Sequence, residues 1–590
     1  MKIRQGLLPA FLLVLICLVF SGCDKGGTAG TGTVSGALSC PGYRSGEIYV
    51  LALKSSDGDR IREMEMESCP YLSRYVASYA AIPGPGPYEI PGLAGGEYVL
   101  WSWNDVNGDG GVNHLDYAEP VGWHQTAGQL FPPVSVPVFA GQCTGGIDLT
   151  LVSLTPFPEG ERQVTAGRGG GTLRTVNSQK VLHLRGTDGE RGYAYGFLVG
   201  RQIVEWINYT FIEYFARSAS FYEETFLPFV RQQCVEDPRR EERDAMLRGM
   251  RDSGIDMELP CIGRELGPDD LLAQNNLYLL LLYPLRAHWP LENASFPGSR
   301  ATACTSAVFW GPWTRESLIP GELIHGKNND GENDLRKMTV NGLLVIAEEP
   351  PSGSSLKKVV RIDWPGFCGT YHGMNEEGLV LASHGVVTMP DWDAVDFLDY
   401  SALYLETLRN CATIEDVRTF WESFPATRPA GWNTGISSPS RSPVEGNPSV
   451  TWETDSFGGA IREPDFMEPS DPCSILTTNN FFKYTGAVPK AVSLTKAYHG
   501  GILPDNYRYR AMLDLLDGYE EESQAIGTTE IIEFLRIASN LPEYHDKTEF
   551  SVIFYPDRMT LALAKEDLAN KNFNAPYAEY RAFGFNDLFQ

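Results

Sequence analysis

The chain has no Cys-x-x-Cys pair, although it carries eleven cysteines in 590 residues. That absence removes zinc ribbons and thioredoxin-like redox sites from consideration. After the first twenty residues there is also no apolar stretch of membrane-spanning length, which requires about 20 residues. The run from Leu277 to Leu285 is far too short and is interrupted by Pro284. Basic residues are scarce: 48 Lys and Arg stand against 75 Asp and Glu, a formal net charge of -27. Such an excess repels polyphosphate and argues against a nucleic-acid partner. No internal repeat is present, which sets a solenoid aside.

What is present describes an exported globular protein. A chain of 590 residues exceeds one ordinary core, so two or more domains are expected. Hydrophobic residues make up 43% and charged residues 21%, a globular balance with no disordered bulk. Lys2 and Arg4 precede an apolar run from Leu7 to Phe20, and Phe20-Ser21-Gly22-Cys23 ends it with small residues before a Cys. This is the pattern of a bacterial lipoprotein signal over residues 1–23, with Cys23 lipidated and becoming the mature N-terminus. An ordinary signal peptide ending near a Cys is the competing reading. Lipid chains would tether the protein to a membrane on the periplasmic or extracellular side without spanning it. An exported chain can form disulfides; Cys234 and Cys261 are a candidate pair, although spacing does not fix pairing.

Residues 24–155 carry short β-rich runs (Gly46 to Leu53, Tyr88 to Ile90, Glu97 to Trp103, Val134 to Phe139) separated by Gly and Pro turns. This cadence predicts a small all-β sandwich. The stretch from Tyr88 to Tyr98 resembles the turn of carboxypeptidase-regulatory-like and prealbumin-like domains. Within this segment Asp105, Asn107 and Asp109 alternate before Gly110, and Asp116 stands at the twelfth position. Oxygens so spaced suit a hard cation, so these four are candidate ligands of a structural Ca²⁺; a metal-free Asx-rich turn is the alternative.

Residues 156–172, with Gly167-Arg168-Gly169-Gly170-Gly171, read as a linker, and 173–590 as a mixed α/β domain. Apolar spacing predicts helices over Gly192 to Tyr214, Phe215 to Leu227, Asp269 to Leu282, Leu398 to Asn410, Tyr507 to Asp517 and Thr529 to Ser539. Strands are expected over Val340 to Ala347, Lys358 to Asp363, Leu379 to His384, Ser474 to Thr478, Phe550 to Tyr555 and Thr560 to Ala564. The Pro/Ser-rich stretch from Pro425 to Pro448 reads as a long surface loop.

The chemistry centres on Thr302-Ala303-Cys304-Thr305-Ser306. A strand from Ser306 to Trp310 and a second from Glu322 to Gly326 would bring Cys304 close to Asp330. A free thiol has a pKa of about 8.5, and an α-amino group of about 8 is well matched to take its proton. If the bond between 303 and 304 is cut, Cys304 supplies nucleophile and base together. Asp330 is then the carboxylate that orients the amine, and Asn479 in Thr477-Thr478-Asn479-Asn480 is the side-chain amide suited to a developing oxyanion.

These blocks occur in a familiar order. Cys304-Thr305-Ser306, Ile324-His325-Gly326-Lys327-Asn328-Asn329-Asp330, Gly373-Met374-Asn375-Glu376-Glu377-Gly378-Leu379 and Thr477-Thr478-Asn479 resemble those of the peptidase C45 / acyl-CoA:6-aminopenicillanic acid acyltransferase family, related to choloylglycine hydrolases and acid ceramidase. The Gly-rich stretch from Arg185 to Gly196 is similar to that family's early block. The resemblance covers 173–590 and implies the N-terminal-nucleophile (Ntn) hydrolase αββα sandwich, self-cleavage before Cys304, and attack on a linear amide or acyl bond. By the same resemblance Cys304 matches the nucleophile, Asp330 its acidic partner and Asn479 the oxyanion Asn.

Two departures stand out. Lys327 occupies a position where Arg is frequent, keeping the charge without the planar fork. Ser383-His384-Gly385 occupies a region where bile-acid hydrolases carry an Asn, which puts bile-salt specificity in doubt and makes His384 a substitute donor. A further positive charge is expected from Arg508 or Arg510. Lys327, His384 and Arg508 are thus candidates for substrate or oxyanion support. The implied substrate is a small N-acyl amide or lipid-like molecule, and catalysis requires no cofactor. A catalytically silent surface-binding lipoprotein and a phospholipase-B-like lipid ester hydrolase compete with this expectation.

Overall fold

The structure, a computed structural model, describes residues 30–57, 73, 75–111, 119–125, 134–152, 154–216, 218–234, 238–277, 279–280, 304–331, 333–386, 399–423, 431–440, 447–464, 473–479, 481–484, 507–539, 547–568 and 574–590. The signal segment with Cys23, Asp116, and the Ala303 side of the expected cut lie outside them. No described helix is long and apolar enough to cross a membrane. The chain divides into two compact units, with the boundary falling at residues 153 and 154.

The described residues of the first unit form two sheets and one short 3-10 turn, Ser55–Asp57. One sheet orders Gly86–Ala94, Thr31–Ser39 and Cys143–Thr144, with Leu149–Thr150 also pairing to Thr31–Ser39. The other orders Val76–Ile82, Glu47–Lys54, Gly96–Asp105 and Val121–Trp123, with Val136–Val138 also on Gly96–Asp105. Side chains on a strand alternate between faces. Ile48, Val50 and Ala52 therefore enter one core with Val34, Leu38, Ile90 and Leu100, while Tyr49 turns the other way and stacks on Trp103 at 4.8 Å.

The second unit is mixed α/β, with two large sheets. The ten-stranded sheet runs in the order Arg162–Ala166, Gly169–Val176, Gln179–Arg185, Leu344–Glu349, Val359–Asp363, His372–Asn375, Val380–Val386, Gly431–Ser437, Ser449–Asp455, Gly458–Arg462. Its one parallel pairing joins Gln179–Arg185 to Leu344–Glu349. The six-stranded sheet, antiparallel throughout, runs Ser474–Thr477, Cys304–Phe309, Ile324–Gly331, Lys547–Tyr555, Thr560–Lys565, Arg581–Gly584. Ala307, Phe309 and Ile324 face a core made with Ile531, Phe534 and Leu535 of the Thr528–Ser539 helix and Met512 and Leu516 of the Tyr507–Glu522 helix. Period two then leaves Cys304, Ser306, His325, Lys327 and Asn329 together on the opposite face, which meets the ten-stranded sheet.

Several expectations are corrected. The Gly-rich run expected as a linker lies within a hairpin of the ten-stranded sheet, formed by Arg162–Ala166 and Gly169–Val176. Its glycines mark close approach: a Cβ on Gly171 would lie 3.0 Å from the Ala194 Cβ, and one on Gly170 only 2.3 Å from Val164 O. The early Gly block works similarly. A Cβ on Gly192 or Gly196 would lie 2.1 and 1.9 Å from the carbonyl oxygens of Glu242 and Met246, so the Asp188–Glu205 helix touches Arg240–Asp252 backbone to backbone. That helix starts on a Thr187/Glu190 capping box and passes at Trp206 into a π-helical segment, Trp206–Ala216, instead of one α-helix from Gly192. Residues 340–342 end the Asn333–Gly342 helix, and the strand begins at Leu344. The expected Pro425–Pro448 loop contains the wholly buried strand Gly431–Ser437. Cys234 and Cys261 do not form the expected disulfide, and Cys261 Sγ is directed at Asn208 O at 3.7 Å.

Candidate active site

Cys304 opens its strand directly opposite Asn329, and Ser306 opposes Lys327. A register shift after Asn329 sets Asp330 opposite Thr548. The flanking Ser474–Thr477 strand pairs with Ser306 through Phe309 and releases the chain at Thr478, so that Asn479 arrives beside Cys304. The Cys304 backbone N–H donates to Asn479 Oδ1 at 2.7 Å. Arg508, in the first turn of the Tyr507–Glu522 helix, reaches the same point. Its Nη2 donates to Asn479 Oδ1 at 2.7 Å, and its Nη1 to Asp330 Oδ2 at 3.1 Å and to Cys304 O and Thr305 Oγ1 at 3.3 Å each. The Thr548 hydroxyl donates to Asp330 Oδ1 at 2.7 Å. Cys304 Sγ lies 3.9 Å from Asn329 Oδ1. All of these residues are buried.

Burial dominates the electrostatics. It pushes the Lys327 ammonium below the usual lysine range, opposed by the adjoining Cys304 thiol and Asp330. Burial likewise pushes the Asp330 carboxyl up, opposed first by Arg508, then by Thr548 and Lys327. Three imidazoles share the inner region and burial, with Lys327 next, keeps them neutral: His325 falls to about 3, His372 and His384 well below the usual value. Lys327 also donates to Asn328 O at 2.7 Å.

The structure brings Cys304, Asp330, Asn479, Lys327 and Arg508 into one cluster and leaves Arg510 exposed. It also shows which neighbours these side chains hold. Asp330 was expected to orient the nucleophile's amine, but its carboxylate is taken by Arg508 and Thr548, and Asn479 is the group that receives the Cys304 nitrogen. The Asn479 amide nitrogen, expected as an oxyanion donor, donates to Gly385 O at 2.6 Å. His384 was expected as a substitute donor. Its Nδ1 faces Asn433 O at 3.1 Å and must carry the hydrogen, so its Nε2 accepts from the Ser306 hydroxyl at 2.7 Å. Both ring nitrogens are thereby committed, Nδ1 within the ten-stranded sheet and Nε2 across to the six-stranded one.

Asp105, Asn107 and Asp109 lie in the first unit, separate from this cluster. The Asp105 and Asn107 side chains serve the turn itself: Asp105 accepts from the Gly108 and Gly110 backbone N–H groups at 2.7 and 3.0 Å, Asn107 from the Asp109 backbone N–H at 2.9 Å. Among the described residues no group of three or more His, Cys, Asp or Glu is gathered to hold a metal.

Sequence reasoning gave no site role to Asn329, Ser306, His325 or Thr548, although the first three stand within the blocks quoted above. The first three carried a signal, since they sit at even spacing from Cys304 or Lys327 on two paired strands. Thr548 carried none, because its position depends on a register shift in a distant partner strand.

No protein-family profile matches the chain. No curated protein matches it either. Among solved structures it is similar to a mutant of conjugated bile acid hydrolase from Clostridium perfringens, at 12% identity and TM-score 0.30, over 48% of this chain and 94% of that one. It is similar to a Caenorhabditis elegans N-acylethanolamine-hydrolyzing acid amidase ortholog, at 14% identity and TM-score 0.30, over 48% and 99%. A penicillin V acylase from Agrobacterium tumefaciens matches at 15% identity and TM-score 0.30, over 48% and 91%.

Proposed function

We propose that the chain is an autoproteolytic N-terminal-cysteine hydrolase or acyltransferase of the Ntn type, acting on a linear N-acyl amide. The observation that carries this reading is the backbone nitrogen of Cys304, held by a side-chain acceptor, Asn479 Oδ1, at 2.7 Å. In the uncut chain that nitrogen is an amide; after cleavage of the 303–304 bond it is the free amine at the same place. Two sheets meeting face to face, with helices packed on the far side of the six-stranded one, also fit the αββα arrangement of such hydrolases.

In the proposed reaction the amine takes the proton from Cys304 Sγ and the thiolate bonds to the acyl carbon. The ammonium then returns the proton to the leaving amine as the C–N bond breaks. Water or an acceptor amine next attacks the thioester, the C–S bond breaks, and the sulfur regains its proton. Lys327 and Arg508 keep the surroundings positive while charge sits on sulfur or oxygen, and Asn479 fixes the amine. Every step is carried by side chains and the terminus of this chain. On the same footing, the Cys23 pattern supports an exported, lipid-tethered bacterial protein.

Mass spectrometry of the mature protein tests the reading. Wild type is expected as two pieces, the second beginning at Cys304, and Cys304→Ala as one uncut chain. Release of acyl groups from a panel of N-acyl amino acids and penicillins should follow the cut form alone. An intact wild-type chain that turns over these amides at full rate would overturn the mechanism. Turnover confined to esters would redirect it to lipid hydrolysis.

A further inference from the structure

The Ser449–Asp455 strand carries Thr451, Glu453 and Asp455 at alternate positions, so the three project from one face. Each grips the segment that bears Asn479. Thr451 Oγ1 lies 2.8 Å from Thr477 Oγ1. The fully buried Glu453 carboxylate accepts the backbone N–H groups of Phe482 at 3.0 Å, Lys483 at 2.8 Å and Tyr484 at 2.7 Å. Asp455 Oδ1 accepts the Tyr484 hydroxyl at 2.9 Å. Arg462, on the adjoining strand, donates to Glu453 Oε1 at 3.0 Å, to Leu476 O at 3.0 Å and to Thr477 Oγ1 at 3.2 Å. The guanidinium also lies 5.1 Å from the Phe482 ring centroid, and Phe482 packs on Tyr509 at 4.7 Å, next to Arg508.

Successive backbone N–H groups converging on one point form the kind of nest that binds anions. Here the anion is the chain's own carboxylate, and the nest begins three residues after Asn479. The Asn479 side chain is held by Gly385 O and Arg508, and Glu453 adds a hold on the backbone that follows it. We infer that Glu453 is a positioning residue: it locks the 482–484 turn and so sets Asn479 Oδ1 against the nitrogen of Cys304. This rests on the nucleophile reading given above. Glu453 itself touches neither Cys304 nor Arg508, so its influence is transmitted through the turn, Arg462 and Phe482.

The test pairs hydrogen exchange with kinetics in the full chain. In Glu453→Gln, the amides of Phe482, Lys483 and Tyr484 should exchange at least about tenfold faster than in wild type. For acyl release kcat should fall by roughly tenfold or more with KM little changed, since small misplacements at a reacting centre cost rate and not binding. In an Asn479→Ala background the same substitution should cost almost nothing further. Should Glu453→Gln not fold, Glu453→Asp keeps the charge facing Arg462 and should show smaller changes in the same directions. Unchanged exchange at 482–484, or an equal loss of kcat in both backgrounds, would overturn the inference while leaving the nucleophile reading intact. A wild type that neither cuts itself nor releases acyl groups would sink the nucleophile reading, and the positioning role with it.

Discussion

The substitution Arg508→Met should destabilise the protein in a manner that depends on pH. The guanidinium is 7% exposed and its partner Asp330 5%, so the pair lies in the range where removing one member costs about 3–5 kcal/mol. Asp330 already has its carboxyl pushed up by burial, with Arg508 the foremost opposing influence. Loss of the guanidinium would leave Thr548 and Lys327 to hold the charge, and the folded-state pKa would rise further. An acid whose folded pKa exceeds its unfolded value supports folding fully below the unfolded value, about 3.9 for Asp, and loses that support as pH rises through the folded value. The gap between Arg508→Met and its parent should therefore be small near pH 4 and reach its full size above neutrality. Adding Asp330→Asn removes the stranded charge and should recover about 2–3 kcal/mol of the loss. Urea midpoints at several pH values, measured in a Cys304→Ala background so that one uncut chain is compared throughout, would decide it. A gap independent of pH, or no recovery in the double variant, would refute the reasoning.

Other substitutions probe neighbouring contacts. Asn479→Asp would place a carboxylate where Oδ1 now receives the Cys304 nitrogen, raising the pKa of the freed amine; the alkaline rise of kcat/KM should move to higher pH, and an unchanged profile would argue against Asn479 as its neighbour. Ser306→Ala strips His384 Nε2 of its donor in a wholly buried site and should cost about 1–3 kcal/mol by urea unfolding, a loss that an equally stable variant would exclude. Gly326→Ala would set a Cβ 2.7 Å from Ile531 Cγ1 and 3.1 Å from Leu535 Cδ1. It should destabilise by about 1–3 kcal/mol, and Ile531→Ala, which removes the Cγ1 atom, should cost less in that background than in the parent; additive losses would contradict the contact.

The parts of the site legible in the sequence were those whose residue type is itself the chemistry. Cys304, Asp330 and Asn479 are rare combinations, and strand pairing brings the first two together within one hairpin. Their individual roles were not legible, because they depend on which neighbour takes which lone pair. Asp330 reads as the amine's partner until Arg508, almost two hundred residues away, is seen to occupy it. Composition also misled in the fold. Gly169 to Gly171 look like a linker, yet glycine there admits a helix against a strand. The strand Gly431-Trp432-Asn433-Thr434-Gly435-Ile436-Ser437 looks like loop because it is polar, but its Asn433 amide donates to Thr478 O and its Ser437 hydroxyl meets His325 Nδ1 of the other sheet, partners that pattern alone cannot supply.

The electrostatic arrangement bears on the proposed amine at Cys304. Two cations, Lys327 and Arg508, face one carboxylate, Asp330, in a region closed to water. An imbalance of that sign favours an anion nearby and disfavours another cation. An α-ammonium beside Arg508 is thereby disfavoured, which keeps the proposed freed amine unprotonated at rest and able to accept a proton. Asn479 fits this role better than a carboxylate would, since a neutral acceptor orients the nitrogen without stabilising its charged form. Lys327, in turn, fits where an arginine would be more rigid, because burial already lowers its own pKa and leaves it responsive to charge on the sulfur beside it.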